Sequence, residues 1–252
     1  MAHVLGAGLL GLQAPAAAPD WPLQHVRAPV LGSAGLSFHE AWQVDSAPLA
    51  GTSEGIQWRR VGDLLFGVIE LAEAPGVSDL RTRSEQAYAR LFRLLDAQAL
   101  PHLWRVWNYM ADINQDQQGL ERYRQFNLGR YEAFVQARRE TGGQVPAACA
   151  IGVAHGPLSV AFLAGTSPLV PLENPRQVSA WHYPAQYGPR APTFSRAALT
   201  YPRGHEALFI SGTASIVGHD TVHPGDVAAQ CRETVRNLGC RVDQAHPRRR
   251  AH

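Results

Sequence analysis

LLFGVIELAEAPGVSDLRTRSEQAYARLFRLLDAQALPHLWRVWNYM, residues 64–110, carries the pattern that decides the fold class. Its first seven residues, 64–70, form an apolar run of strand length, and HLWRVWNYM, 102–110, forms a second. Between them Leu80, Ala87, Leu91, Leu94 and Leu95 recur at helical spacing, which places one apolar stripe on a helix predicted over 79–98. A strand, a helix and a strand in that order bury their apolar faces only by layering, so the chain reads as α/β or α+β.

Toward the C-terminus, Tyr123, Phe126, Tyr131, Phe134 and Val135 mark a helical face within 121–139, while Arg122, Arg124, Arg130, Arg138 and Arg139 crowd the remainder. Residues 147–154 and 159–164 read as a strand pair turned at His155-Gly156-Pro157. The proline-rich passage 168–192 cannot be regular helix, because proline removes a donor and locks φ. Residues 208–211 read as a buried strand and 212–218 as a turn with a short strand. His223-Pro224-Gly225-Asp226 then starts a helix with proline in its first turn. Val227, Cys231, Thr234, Val235 and Leu238 are the predicted buried stripe of that helix. Beyond Leu238 the apolar period stops, and the tail GCRVDQAHPRRRAH offers no strand for the helix to cover.

The 252 residues give room for one large domain or two small ones, and 45% hydrophobic with 17% charged residues is a globular composition. All 23 basic residues are arginine, and the net charge is +2. Arg241, Arg248, Arg249 and Arg250 against Asp243 make residues 239–252 a +3 tail, which leaves about −1 for the rest. Such a body lacks the basic face that phosphate binding needs, which argues against nucleic acid as a partner. Cys149, Cys231 and Cys240 are odd in number, with neither a CxxC pair nor a metal-ligand rhythm, so they read as reduced thiols. The apolar start, residues 1–12, lacks a charged n-region, and no run of 18 apolar residues is long enough to span a membrane. A cytoplasmic protein whose first residues are a core strand or a truncated start is the expectation.

Arginines beside aromatics are the most informative chemistry: Arg105 in RVWNY, Arg122 and Arg124 in ERYRQF, Arg130 in LGRY, Arg176 in ENPRQ and Arg196 in FSRA. A guanidinium grips a carboxylate bidentately, and aromatic walls flank a ring while excluding water, so a small cyclic dicarboxylate fits such a lining. Taken singly, each arginine is more simply a helix-face cation paired with Glu121, Glu132 or Glu140. The segment ENPRQVSAWHYPAQYGP (173–189) either presents polar groups rigidly or is a surface connection. SGTASIVGH (211–219) either turns backbone amides toward an anion or is a tight turn. No HExxH, GxSxG, GxGxxG or Walker A pattern is present, so metal, dinucleotide and ATP chemistry are not expected.

The order of motifs FHEAWQVD (38–45), LLFGVIE, RVWNY, ERYRQF with LGR, PLENPRQVSAWHYPAQYGP, FSRA and LFISGTASIVGH resembles the chorismatases, chorismate-cleaving enzymes once labelled pteridine-dependent deoxygenase-like. The resemblance runs from near residue 3 to Leu238. It implies an α+β fold of the YjgF/RidA-like, chorismate-mutase-like type. A divergent N-terminal copy would occupy 1–145, a connecting segment with the first half of a C-terminal copy 146–238, and a non-family tail 239–252. It also implies that chorismate is cleaved without metal or organic cofactor to pyruvate plus 3-hydroxybenzoate, 4-hydroxybenzoate or a dihydroxycyclohexadiene carboxylate.

Two carboxylates call for two anchors, for which Arg122, Arg130 and the backbone amides of Ser211, Gly212 and Thr213 are the candidates; Asn108, Tyr109, Tyr123 and Tyr187 would line and orient the ring. The chemistry needs a general acid to protonate the enol ether methylene. The family's late glutamate lies beyond the segment matching 227–238, so no position here takes that role. The break at Gly239 reads as a frameshift or premature end, with an open sheet edge, poor solubility and turnover reduced about two to four orders of magnitude expected. The other readings are a RidA-like enamine/imine deaminase and a non-catalytic ligand-binding remnant. A monomer is favoured, because two copies in one chain replace the superfamily's trimer.

Overall fold

Residues 64–110 fold as their pattern predicts, into strand, helix and strand, in a computed structural model that describes residues 2–32, 35–73 and 79–245. In chain order, β1 (His3–Leu10), β2 (Leu23–Val26) and β3 (Phe38–Val44) come first. They are followed by β4 (Leu49–Ser53), β5 (Ile56–Val61), β6 (Leu64–Leu71), helix α1 (Leu80–Ala97) and β7 (His102–Ala111). A small hairpin, β8 (Asp116–Gln117) and β9 (Leu120–Glu121), leads into α2 (Arg122–Gln136). Then come β10 (Ala147–Val153), β11 (Leu158–Gly165), β12 (Val170–Leu172), β13 (Ala197–Thr200) and β14 (Ala207–Ile210). A second hairpin, β15 (Ile216–Val217) and β16 (Asp220–Thr221), precedes α3 (Val227–Ala245).

The central sheet has the order β10-β7-β11-β6-β5-β4, with only the β10–β7 pair parallel. Residues 147–154 and 159–164 are therefore strands, but not the hairpin expected from the turn at His155-Gly156-Pro157. β7 lies between them, because its own apolar run pairs with both. Alternation along each strand splits the core in two. Leu65, Ile69, Val106, Val160 and Phe162 face α1 and α2, while Phe66, Val68, Ala161 and Leu163 face Leu5 of β1. The sheet β2-β1-β3 covers that second face, so the apolar N-terminal stretch is a core strand.

The expected stripe of α1 is buried, and Tyr88 and Phe92 join it. The passage 168–192 is irregular apart from β12 and two 3-10 turns, Ala180–His182 and Ala185–Tyr187. β12 pairs with β13, and β13 with β14, so the strand expected at 208–211 sits half-buried at the edge of a separate three-stranded sheet.

The last helix departs from the sequence reading in three ways. It starts after Asp226, whose Oδ1 accepts the Ala229 amide at 2.9 Å, so aspartate caps the end and Pro224 lies outside it. It runs past Leu238 to Ala245, and Ala245 is buried against Leu172, Ala197 and Leu199 of the three-stranded sheet, so the helix does cover a sheet. Its predicted stripe is not the buried face: Val227 and Val235 are 71% and 66% exposed, Cys231 is exposed, and Thr234 and Leu238 are half-buried, whereas Glu233, Asn237 and Arg241 are buried. Residues 246–252 of the expected tail lie outside the described residues.

Candidate functional site

The close packing of α2 on α1 begins the site. A Cβ on Gly129 would stand 1.9 Å from the Arg81 carbonyl oxygen, so only glycine lets the two helices approach this closely. The next residue, Arg130, is thereby laid against aromatic rings, its guanidinium carbon 5.2 Å from the Phe126 centroid and 5.8 Å from that of Tyr88. Arg130 is 2% exposed, its Nε and Nη2 have no hydrogen-bond partner, and among the described residues no carboxylate pairs with it.

Beside it opens a hollow of about 330 Å³, lined by Tyr123 and Arg130 from α2, residues 148–151 of β10, Phe194, and Gly212, Thr213 and Ala214. That volume lies within the range of small-ligand sites. The edge position of β10 creates it. The Ser211 hydroxyl accepts the Ala148 amide (2.8 Å) and donates to the Ser195 carbonyl (2.6 Å), and the Gly212 amide donates to the Ala148 carbonyl (3.1 Å). These bonds stitch the segment after β14 along the strand edge, and the small side chains of Ala148 and Ala150 leave the space open. Burial pushes the Cys149 thiol up, so it remains a neutral part of the wall.

Of the nine site residues expected from the sequence, Tyr123, Arg130, Gly212 and Thr213 meet at this hollow. Asn108 lies behind it with both ends of its amide engaged: its Oδ1 accepts the Tyr88 hydroxyl (2.8 Å) and its Nδ2 donates to the Cys149 carbonyl (2.7 Å). Tyr109, one residue on, points to the opposite face of the sheet toward Gln24 and Trp107. Burial there pushes its phenol up to about 12. Both residues were expected to line one ring, and strand alternation forbids it.

Arg122 is not an anchor. Its Nη1 and Nη2 grip Glu73 at 3.0 and 2.5 Å, Nη1 also reaches Gln117 (2.7 Å), and Nε donates to the Ala111 carbonyl (3.0 Å). Tyr187 stands apart at the surface, its hydroxyl 3.1 Å from His219 Nδ1 and donating to Asp220 (3.3 Å). The Ser211 and Gly212 amides are committed to the Arg196 and Ala148 carbonyls, so these two amides do not face an anion as expected.

The sequence reading missed Cys149, Phe194 and the alanines of the wall, which carry no signal beyond small size, and it missed Tyr88, which shares the stripe of α1. It also missed a buried polar cluster behind Phe194. Arg196 stacks over Phe194 and Tyr183 (5.5 and 5.4 Å) and donates to the Val178 carbonyl and the Tyr183 hydroxyl, while its amide donates to Glu173 (2.8 Å). Burial pushes the Glu173 carboxyl up, against the pull of Arg196 and Arg241. The ENPRQ motif serves this docking rather than a ligand: Asn174 bonds Asn237 (3.1 Å) and Arg176 pairs with Glu233 (2.5 Å).

Residues 40–164 match the family described as chorismatase FkbO/Hyg5-like, N-terminal. A protein of Streptomyces rapamycinicus named chorismatase is 41% identical over 206 residues, covering 80% of this chain and 60% of the relative. A 3-hydroxybenzoate synthase of Streptomyces hygroscopicus is 40% identical over 207 residues, with the same coverage. The chain thus spans about 60% of the length of the curated relatives it matches. A crystal structure of a chorismatase superposes with a TM-score of 0.84 at 34% identity, covering 94% of this chain and 71% of that one.

Proposed function

The chain belongs to the chorismatase family, and from that premise we propose that it binds chorismate, with the ring seated in the hollow beside β10 and a carboxylate on Arg130. One observation carries the reading. A buried guanidinium with two unpartnered nitrogens costs several kcal/mol unless an anion completes it. The adjoining hollow is ring-sized and lined mostly by apolar groups, with Tyr123 and Phe194 as walls.

The reaction proposed is cleavage of the enolpyruvyl ether, releasing pyruvate and leaving a hydroxybenzoate or dihydroxycyclohexadiene carboxylate. Protonation of the terminal methylene gives an oxocarbenium ion that water or the neighbouring hydroxyl captures. None of the described residues lining the hollow is a carboxylic acid, so binding and turnover are separate questions. Binding rests on Arg130, and turnover on a general acid, whose contribution is typically about two to four orders of magnitude in rate. The reading takes the protein as a cytoplasmic monomer acting without metal or organic cofactor.

Calorimetric titration with chorismate, run beside a lactate-dehydrogenase-coupled pyruvate assay, tests both halves. Arg130→Met is expected to weaken binding about 10- to 100-fold, the scale of a charge-assisted contact. The same change is expected to raise the melting temperature of the free protein, since it removes an unpaired buried charge. Unchanged chorismate affinity in that variant, or turnover of an imino acid in preference to chorismate, would refute the proposal.

A further inference from the structure

Arg241 lies on the inward face of α3 and is wholly buried, at 0% exposed. Its Nη1 donates to the Thr213 hydroxyl (2.5 Å) and its Nη2 to Gln177 Oε1 (2.9 Å), while Nε has no partner. Both acceptors are neutral, and among the described residues no carboxylate forms an ion pair with it. Burial lowers its pKa to about 10 and the charge of Arg196 pushes the same way, with the nearby Glu173 carboxyl only partly offsetting them. A guanidinium held like this is an expensive filler, because an apolar side chain of similar volume would occupy the place without the desolvation cost. The groups it holds account for its presence.

Thr213 is one of the residues that wall the hollow, between Gly212 and Ala214. Its hydroxyl donates to the Ser211 carbonyl (2.8 Å) and accepts from Arg241, so both directions of the hydroxyl are engaged and its rotamer is fixed. Gln177, the other residue held by Arg241, donates through Nε2 to the Ile216 carbonyl (3.0 Å) and anchors the far end of the same segment. Residues 213–216 are therefore clamped at both ends from one side chain. We propose that Arg241 is a positioning residue, which acts through Thr213 to set the shape of the hollow's 212–214 wall and so tunes ligand affinity from a helix that does not itself line the hollow. This rests on the reading of the hollow as a chorismate site.

The test is chorismate titration of Arg241→Met, Arg241→Lys, Thr213→Val and the Met/Val double variant, with Arg130→Met as control. Arg241→Met is expected to weaken binding about 10-fold, the scale of one hydrogen bond to a charged group. Thr213→Val should match it, and the double variant should bind no worse than the weaker-binding single one, since both break the same link. Arg241→Lys should recover part of the loss, because an ammonium can still donate to Thr213. Multiplicative losses in the double variant would overturn the proposal, as would parental affinity in Arg241→Met, whatever its melting temperature. If Arg130→Met weakens binding while Arg241→Met and Thr213→Val do not, this inference fails alone. Parental affinity in Arg130→Met would remove the chorismate reading, and the inference with it.

Discussion

Helix α1 spans 18 residues and α3 spans 19, and each carries an apolar stripe, yet α1 buries its stripe on the sheet whereas α3 leaves Val227, Cys231 and Val235 exposed and Thr234 and Leu238 only half-buried. The surfaces beneath them differ. Under α1 lies a sheet whose backbone groups are paired in the ladder, so only apolar contact is on offer. The end of α3 meets the three-stranded sheet through Ala245, but Asn237 and Arg241 face an irregular segment and a loop whose carbonyls and hydroxyls take donors. Asn237 supplies two, to Ala214 (3.2 Å) and Ile216 (3.0 Å), and Arg241 and Arg176 close the rest of the network. A helix docks the face its neighbour can satisfy, and amphipathicity alone does not choose that face.

The sharpest way to break this contrast is Leu91→Ala in α1. Leu91 is wholly buried, and its truncation should cost about 2–5 kcal/mol in urea unfolding, from lost burial and the residual cavity. Next comes Asn237→Ala in α3, which removes a donor to the Ala214 and Ile216 carbonyls and the acceptor of the buried Asn174 amide, and should cost about 1–3 kcal/mol by the same measurement, although no apolar contact is removed.

Glu173 gives a smaller, pH-dependent effect. Because burial raises its folded pKa, its contribution is fullest below the usual glutamate value and is lost as pH rises through the raised one. The stability of the parent protein relative to Glu173→Gln should therefore decline with rising pH across that window. A flat difference between the two melting curves would show that the carboxyl is not held neutral. The least effect is expected from Val235→Ser, on the exposed stripe of α3, which should change stability by no more than about 0.5 kcal/mol. A cost like that of Leu91→Ala would mean that the outward stripe is covered and the contrast is false.

Much of the fold was legible because its signals are local. Leu80, Leu91 and Leu95 mark α1 by period, and the runs at 64–70 and 102–110 mark β6 and β7. Strand order was not legible, since nothing in 147–164 says that β7 inserts between the two strands it predicts. The site was half legible for a similar reason. Arg122 and Arg130 stand on one helix among similar residues. Arg122 meets Glu73 just beyond β6, whereas Arg130 meets the rings of Phe126 and Tyr88 and faces a hollow. Asn108 and Tyr109 were taken together from one motif, although alternation along β7 already separates them.

The sequence by itself determined a layered mix of strands and helices, the positions of the main strands and helices, and the stripe that α1 buries. Periodicity and capping depend only on neighbours along the chain. Which stripe of α3 turns inward, which arginine keeps its charge unpaired and which amides are free were decided by the tertiary structure. Desolvation and hydrogen-bond pairing depend on groups that the chain brings together from far apart.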